Sequence, residues 1–306
     1  MATTTVNGLE LCYQRHGDPR DPCVLLVMGL GMQLIAWPDD FVEGLVEQGL
    51  QVVRFDNRDS GLSDKIEAGG QPSVVWAYVK SKLGLRVRSA YTLDDMADDA
   101  LGLLSALDIG HAHVIGASMG GMIAQLMAAR APQRVLSLVS IMSSSSRRGL
   151  PGPTRAARQA LMRRPKAGAS RAELIDHMAA TVRLLGSPAY PVPEKLLQQR
   201  IAAALDRGNC PQGVARQMMA IAASGSREAL LPTITCPTLV IHGAQDILIP
   251  VECGIDTAAL IPGAQLRVIE GMGHNLPPQL IERLLALIDA HVHGKMAAQL
   301  QPRQFA

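Results

Sequence analysis

Ser118 lies in Gly116-Ala117-Ser118-Met119-Gly120, a G-x-S-x-G pattern. The apolar run Ala112–Ile115 leads straight into it, and a helical pattern opens at Met119. A strand–turn–helix setting holds a serine on a tight, strained turn with its Oγ exposed for attack. Small residues at 116 and 120 suit such a turn, because side chains there would collide across it. A serine hydroxyl is a weak nucleophile until a base takes its proton. His274, in Gly271-Met272-Gly273-His274-Asn275, directly follows the last strand-like run and is the expected base. The other histidines are placed differently. His242 closes a strand-like run, while His111 and His113 flank the start of the run to Ser118, at the wrong end. His16 falls in an N-terminal hairpin, His177 in a helical stretch, and His291 and His293 at the end of the last helix. Asp246, in His242-Gly243-Ala244-Gln245-Asp246, follows one strand-like run and precedes the next, so it is the expected acid that orients the imidazole. Ser143–Ser146 occupy the alternative acid position without a carboxylate, Asp256 falls in a helix, and Glu270 sits at a strand end. A tetrahedral oxyanion also needs backbone donors. The N–H of Met119, with the positive end of its helix behind it, is one candidate. The N–H of Leu30 in Met28-Gly29-Leu30-Gly31 is the other, with a plain glycine turn as the competing reading. Together these groups would perform acyl transfer through serine.

Positioning them requires a sheet. Short apolar runs recur at Cys23–Met28, Gln51–Phe55, Ala112–Ile115, Val135–Met142, Pro237–Ile241 and Gln265–Ile269, most of them ended by glycine or a polar turn. Runs of four to eight residues without alternation are typical of strands covered on both faces. Leu9–Tyr13 alternates weakly and is expected to be a first strand. Helical patterns separate the runs. Leu93, Met96, Ala97, Ala100, Leu101 and Leu104 share one face behind Thr92, an N-cap candidate. Met119–Ala129 is apolar nearly all round, as a helix enclosed by other elements should be, and Pro277–His291 carries an apolar face. The alternation predicts an α/β fold with a mostly parallel, doubly wound sheet.

Residues 147–230 break the pattern, with helix-like stretches, no convincing strand, and 14 Lys+Arg against 5 Asp+Glu. They are read as an inserted helical cap on a core of residues 1–146 and 231–293, with 294–306 as a C-terminal tail. The cap's basic excess is expected to be a solvated face, with attraction of anionic substrates as the competing reading. Met218, Met219, Leu184 and Leu185 are candidates to line a substrate pocket, with cap-to-core packing as the competing reading.

Composition excludes other classes. The chain has 306 residues, 48% of them hydrophobic, and a formal net charge of +2. That is enough apolar material for a substantial core, and the charge gives no reason to expect nucleic acid. The N-terminus lacks the basic start and apolar run of a signal peptide, and no membrane span is expected. Five scattered cysteines without a C-x-x-C pair predict reduced thiols in a cytoplasmic protein, with neither a metal site nor disulfides.

On these residues the chain resembles the α/β-hydrolase superfamily, and the resemblance covers nearly all of it. It includes the turn after residue 28, Asp56-Asn57-Arg58-Asp59-Ser60-Gly61-Leu62-Ser63, the Ser118 elbow, the cap, Asp246 and His274. Val27-Met28-Gly29 leading to Trp37-Pro38-Asp39, with Ser118-Met119-Gly120, is similar to aclacinomycin methylesterase and related carboxylesterases. The usual histidine before the glycine of that first turn is Met28 here, and one glycine of the D-x-R-G-x-G pattern is replaced by Asp59. The Asp and Arg of that pattern are expected to tie loops together. The resemblance implies a serine carboxylester hydrolase acting on small to medium esters through an acyl-enzyme, without metal or organic cofactor. A carbon–carbon bond hydrolase and a non-catalytic ligand-binding protein of the same fold are the alternatives. The expected partner is a small-molecule ester, with homo-oligomerisation left open.

Overall fold

Most of the apolar runs form strands because both of their faces are covered, whereas Gln265–Ile269, at the edge of the sheet, is only partly buried. In the computed structural model, which describes residues 1–67, 76–77, 79–80, 83, 85–163, 165–166 and 168–294, an eight-stranded sheet comprises β1 (Ala2–Val6), β2 (Leu9–His16), β3 (Cys23–Val27), β4 (Gln51–Phe55), β5 (Ala112–Ala117), β6 (Val135–Ile141), β7 (Thr238–Gly243) and β8 (Gln265–Ile269). Its order is β1-β2-β4-β3-β5-β6-β7-β8. The β1–β2 and β2–β4 pairs are antiparallel, and every other pair is parallel. Successive residues of β3 serve opposite layers. Leu25 and Val27 pack with Leu93, Met96, Ile123 and Met127, on α2 (Leu93–Ala106) and α3 (Met119–Arg130). Val24 and Leu26 pack with Phe41, Leu45, Leu284 and Ile288, on α1 (Asp39–Glu47) and α9 (Ile281–Val292).

Several local expectations hold. Thr92 caps α2 in a capping box with Asp95, and Met119 through Ala128 of α3 are all buried. Two differ. The Thr-rich start of the chain is strand β1, which carries too little hydrophobic pattern to be read alone but gains a ladder against β2. The last helical pattern opens with a single 3₁₀ turn at Pro278–Leu280, and α9 itself begins at Ile281.

Among the described residues, four α-helices lie between β6 and β7: α4 (Arg155–Met162), α5 (Arg171–Leu185), α6 (Glu194–Arg207) and α7 (Pro211–Ser224). Two of their arginines depart from the expectation of a solvated face. Arg207 pairs with the fully buried Asp56 at 2.6 Å, and Arg216 with the fully buried Asp59 at 2.7 Å. Arg227, just after α7, is 1% exposed. Its guanidinium donates to Ser144 O at 2.7 Å, Gln125 Oε1 at 3.0 Å and Ser146 Oγ at 3.0 Å. Burial among neutral acceptors pushes it down to about 10. Arg171–Asp206 and Arg183–Glu194 are exposed surface pairs. Most of the other basic residues of 147–230, among them Arg148, Arg155, Arg158, Arg163, Lys166 and Lys195, are exposed, so the basic excess is largely a solvated face, with Arg207, Arg216 and Arg227 as the inward exceptions. The tail expected over 294–306 lies, apart from Gly294, outside the described residues.

Candidate active site

The parallel register brings the strand ends into line. Val27 pairs with Gly116, Ala117 with Ile141, Ile141 with Ile241, and Gly243 with Ile269. Loops leaving the carboxyl ends of these strands therefore share one edge of the sheet, where open α/β folds bind ligands. Ser118 immediately follows β5, Asp246 follows β7 and His274 follows β8.

Ser118 has φ +57°, a left-handed conformation that a non-glycine residue holds only under constraint. Its N–H donates to Ile141 O at 2.9 Å, and its carbonyl accepts from Ser143 Oγ at 2.8 Å. The small neighbours are sterically required. A Cβ on Gly116 would stand 2.2 Å from Gly120 O, and one on Gly120 would stand 2.0 Å from Val27 O. This contact presses α3 against the end of β3, and a Cβ on Gly29 would lie 3.1 Å from Ser118 Cβ. The turn after β3 and the serine are direct neighbours.

Ser118 Oγ and His274 Nε2 are 3.0 Å apart, and His274 Nδ1 and Asp246 Oδ2 are 2.7 Å apart. Asp246 accepts at Oδ1 from the N–H groups of Leu248 and Ile249, both at 2.9 Å. A carboxylate offers only acceptors, so Nδ1 carries the proton that faces Asp246 and Nε2 is left to accept from the serine hydroxyl. The imidazole side chain is 9% exposed and the carboxylate is sealed. His242 is fully buried beside this pair, 3.7 Å from Asp246 Oδ2. Its Nε2–H is committed to Ile249 O at 2.8 Å, and burial lowers its pKa, so it stays neutral and does not compete as a base.

The His274 loop is held by the inserted helices. Its backbone N–H donates to Leu185 O at 2.8 Å, while Ser187 Oγ accepts from Gly273 N–H at 2.9 Å and donates to Asn275 Oδ1 at 2.6 Å. Leu185 thus meets the site through its carbonyl. Of the other pocket candidates, Leu184 is 44% exposed, Met218 is half-buried, and Met219 is packed with Ala77 and Val87. For Met219 the packing reading prevails.

Among the described residues, the N–H groups of Leu30 and Met119 donate to no protein acceptor, whereas the N–H of Gly31 donates to Gln217 Oε1 at 2.7 Å. Asp56 accepts from Leu34 N–H, Leu62 N–H and Arg207 and ties loops together as expected, whereas Arg58 pairs with Asp99 at 2.6 Å and ties its loop to α2. Sequence reasoning missed Gln217, Ser187 and Arg227. A lone glutamine at the i+3 position from Val214 on an otherwise mixed helix gives only a weak signal.

Comparison with known proteins agrees with this fold. The alpha/beta hydrolase fold family matches residues 22–278. The chain is 32% identical over 308 residues to rhodomycin D methylesterase DauP of Streptomyces sp. (strain C5), covering 95% of this chain and 97% of that protein. It is 29% identical over 261 residues to a 2-hydroxy-6-oxononadienedioate/2-hydroxy-6-oxononatrienedioate hydrolase of Cupriavidus pinatubonensis, covering 82% and 80%. Among solved structures, the meta-cleavage product hydrolase CumD of Pseudomonas fluorescens IP01 shares the fold, with a TM-score of 0.74 at 22% identity, covering 96% of this chain and 98% of that one. Among the described residues, no helix is long and apolar enough to cross a membrane.

Proposed function

The chain belongs to the alpha/beta hydrolase fold family, and from that premise we propose that it is a serine carboxylester hydrolase working through Ser118, His274 and Asp246. The observation that carries the reading is the continuous pair of contacts, 3.0 Å from Ser118 Oγ to His274 Nε2 and 2.7 Å from His274 Nδ1 to Asp246. Ser118 Oγ attacks the ester carbonyl as His274 Nε2 takes its proton, and Asp246 stabilises the imidazolium. The developing oxyanion sits on the N–H groups of Leu30 and Met119, each such donor being worth about 3–4 kcal/mol in the transition state. Collapse expels the alcohol, which takes the proton from His274, and leaves an acyl-enzyme on Ser118. Water, deprotonated by His274, then attacks the acyl carbonyl and releases the acid. Residues 1–146 and 231–293 serve as the catalytic core, and 147–230 as a cap that sets the size of the pocket.

Likeness to a methylesterase over nearly the whole chain favours a carboxylic ester with a small alcohol half. The likeness to the dienedioate hydrolase keeps carbon–carbon bond hydrolysis as the second reading. Hydrolysis of p-nitrophenyl esters from C2 to C16, and of a methyl aryl-carboxylate, tests both. Activity on short or medium esters that falls by about 10³-fold or more in Ser118→Ala is the expected result. Turnover of a vinylogous diketone with no ester activity above the Ser118→Ala background would transfer the reading to carbon–carbon bonds.

A further inference from the structure

Gln217 is a fully buried glutamine on α7, outside the Ser118–His274–Asp246 group. All of its polar capacity is directed at two loops. Its Oε1 accepts from Gly31 N–H at 2.7 Å, while its Nε2 donates to Arg58 O at 2.8 Å and to Ser60 Oγ at 3.0 Å. The amide orientation is fixed by these partners, because a backbone N–H can only donate and a carbonyl can only accept. Gly31 belongs to the turn after β3, which Met32 N–H closes onto Gly29 O at 3.2 Å, and it has φ +67°. Four-residue turns exist in two forms related by a flip of the central peptide, and positive φ at the third residue selects one of them. The bond to Gln217 grips that central peptide through its N–H. The flanks of the same turn are held by the loop after β4, where Asn57 Nδ2 donates to Met28 O at 2.9 Å and Asp56 Oδ1 accepts from Leu34 N–H at 2.7 Å. Val214, one turn earlier on α7, closes over Gly31, and a Cβ there would stand 2.8 Å from its methyl group.

We propose that Gln217 is a positioning residue for the oxyanion turn: from the inserted helices it locks the Leu30–Gly31 peptide in place, and this anchors the turn whose preceding peptide presents the Leu30 N–H to the Ser118 adduct. This rests on the reading of Leu30 as an oxyanion donor. It also assigns the turn's two N–H groups separate duties, since the Gly31 N–H is already used on Gln217. Seating of the inserted helices and completion of the catalytic site are then one event, because the same side chain serves both.

The test compares wild type with Gln217→Met, which keeps the volume and loses the bonds, and Gln217→Glu, which keeps an acceptor for Gly31 N–H. The readouts are kcat and KM on a p-nitrophenyl ester, the melting temperature, and inhibition by a trifluoromethyl ketone that forms a tetrahedral oxyanion on serine. Removal of an oxyanion donor costs 10²–10³-fold, so misaiming one is expected to lower kcat in Gln217→Met by about 10–100-fold. KM should change less than about twofold, inhibition by the ketone should weaken in step with kcat/KM, and Gln217→Glu should retain more of kcat than Gln217→Met. If Gln217→Met does not fold, Gln217→Asn, a methylene too short to reach both loops, should show the same split. A kcat within about twofold of wild type, or a loss confined to KM and melting temperature, overturns the assignment. Ser118→Ala separates the two levels. If it turns over as fast as wild type, the serine-hydrolase reading itself has failed. If it is inert while the Gln217 variants keep their kcat, only the role of Gln217 falls.

Discussion

Replacing Asp246 by asparagine changes one proton-accepting face of a side chain without changing its shape, and the surroundings dictate how the amide must sit. The Oδ1 position receives the N–H groups of Leu248 and Ile249, both at 2.9 Å, so only an oxygen is tolerated there. The NH₂ group must therefore occupy the Oδ2 position, 2.7 Å from His274 Nδ1. A donor now faces Nδ1, so the imidazole is driven to the tautomer with its proton on Nε2, which faces Ser118 Oγ at 3.0 Å. A protonated Nε2 cannot accept the serine proton, and no carboxylate remains to stabilise the imidazolium. The expected loss in kcat is about 10⁴-fold, the size seen when a triad histidine is held in the wrong tautomer. That corresponds to about 5.4 kcal/mol of transition-state stabilisation. The assay is steady-state hydrolysis of a short p-nitrophenyl ester, with thermal unfolding as the control for folding. Because asparagine is isosteric and both backbone bonds survive, the melting temperature should move by only a few degrees. A variant that folds and keeps kcat within about tenfold of wild type would refute Asp246 as the orienting acid and the tautomer argument with it.

Two further perturbations follow from the packing and the charges. In Gly120→Ala the new methyl group would lie 2.0 Å from Val27 O, so α3 must withdraw from β3. A loss of about 1–3 kcal/mol in urea unfolding and of about 10²-fold or more in kcat is expected. Gly110→Ala, whose methyl group meets nothing within 4 Å, should leave both unchanged, and equal behaviour of the two variants would refute the steric account. His113 on β5 is pushed down to about 4, first by burial and then by the neighbouring His291, His293 and His111. Between pH 6.5 and 4 the unfolded chain binds a proton that the folded ring refuses, so stability rises with pH across this window and is lost on acidification. The ring is only half-buried, and with screening the contribution is about 2 kcal/mol. The unfolding free energies from urea titrations at pH 7 and pH 4.5 should converge in His113→Gln by about that amount, and an unchanged pH slope would refute it.

The parts of the fold legible in the chain are those where one physical signal dominates. β3 through β7 read as strands because burial on both faces leaves continuous apolar runs. Ser118, Asp246 and His274 could be singled out because each closely follows such a run, and the parallel register then brings the strand ends together. Elements without an apolar run, and contacts between residues distant in sequence, were not legible. β1 is exposed along most of its length and owes its form to the ladder with β2. The inward arginines Arg207, Arg216 and Arg227 could not be told from the solvated ones, because pairing partners 157 positions away, as for Arg216 and Asp59, leave no local trace. Gln217 has no motif at all, and only its three simultaneous bonds make it conspicuous.

The loop Asp56–Ser63 acquires a meaning that neither its motif nor the reacting residues supply. Asp56 and Asp59 are fully buried, and each is neutralised by an arginine from beyond β6, Arg207 and Arg216 respectively. Buried ion pairs gain little net stability over apolar packing, yet either partner left alone is strongly destabilising. Their effect is therefore to exclude alternative seatings of α6 and α7, since any shift strands a carboxylate in the interior. Asn57 in the same loop donates to Met28 O, and the Arg58 carbonyl and Ser60 hydroxyl hold Gln217. One eight-residue loop thus fixes where the inserted helices dock and, through the turn after β3, the backbone that meets Ser118. In such an arrangement the fit of the inserted helices governs rate as well as access, and substitutions at the docking contacts should alter kcat without touching any reacting atom.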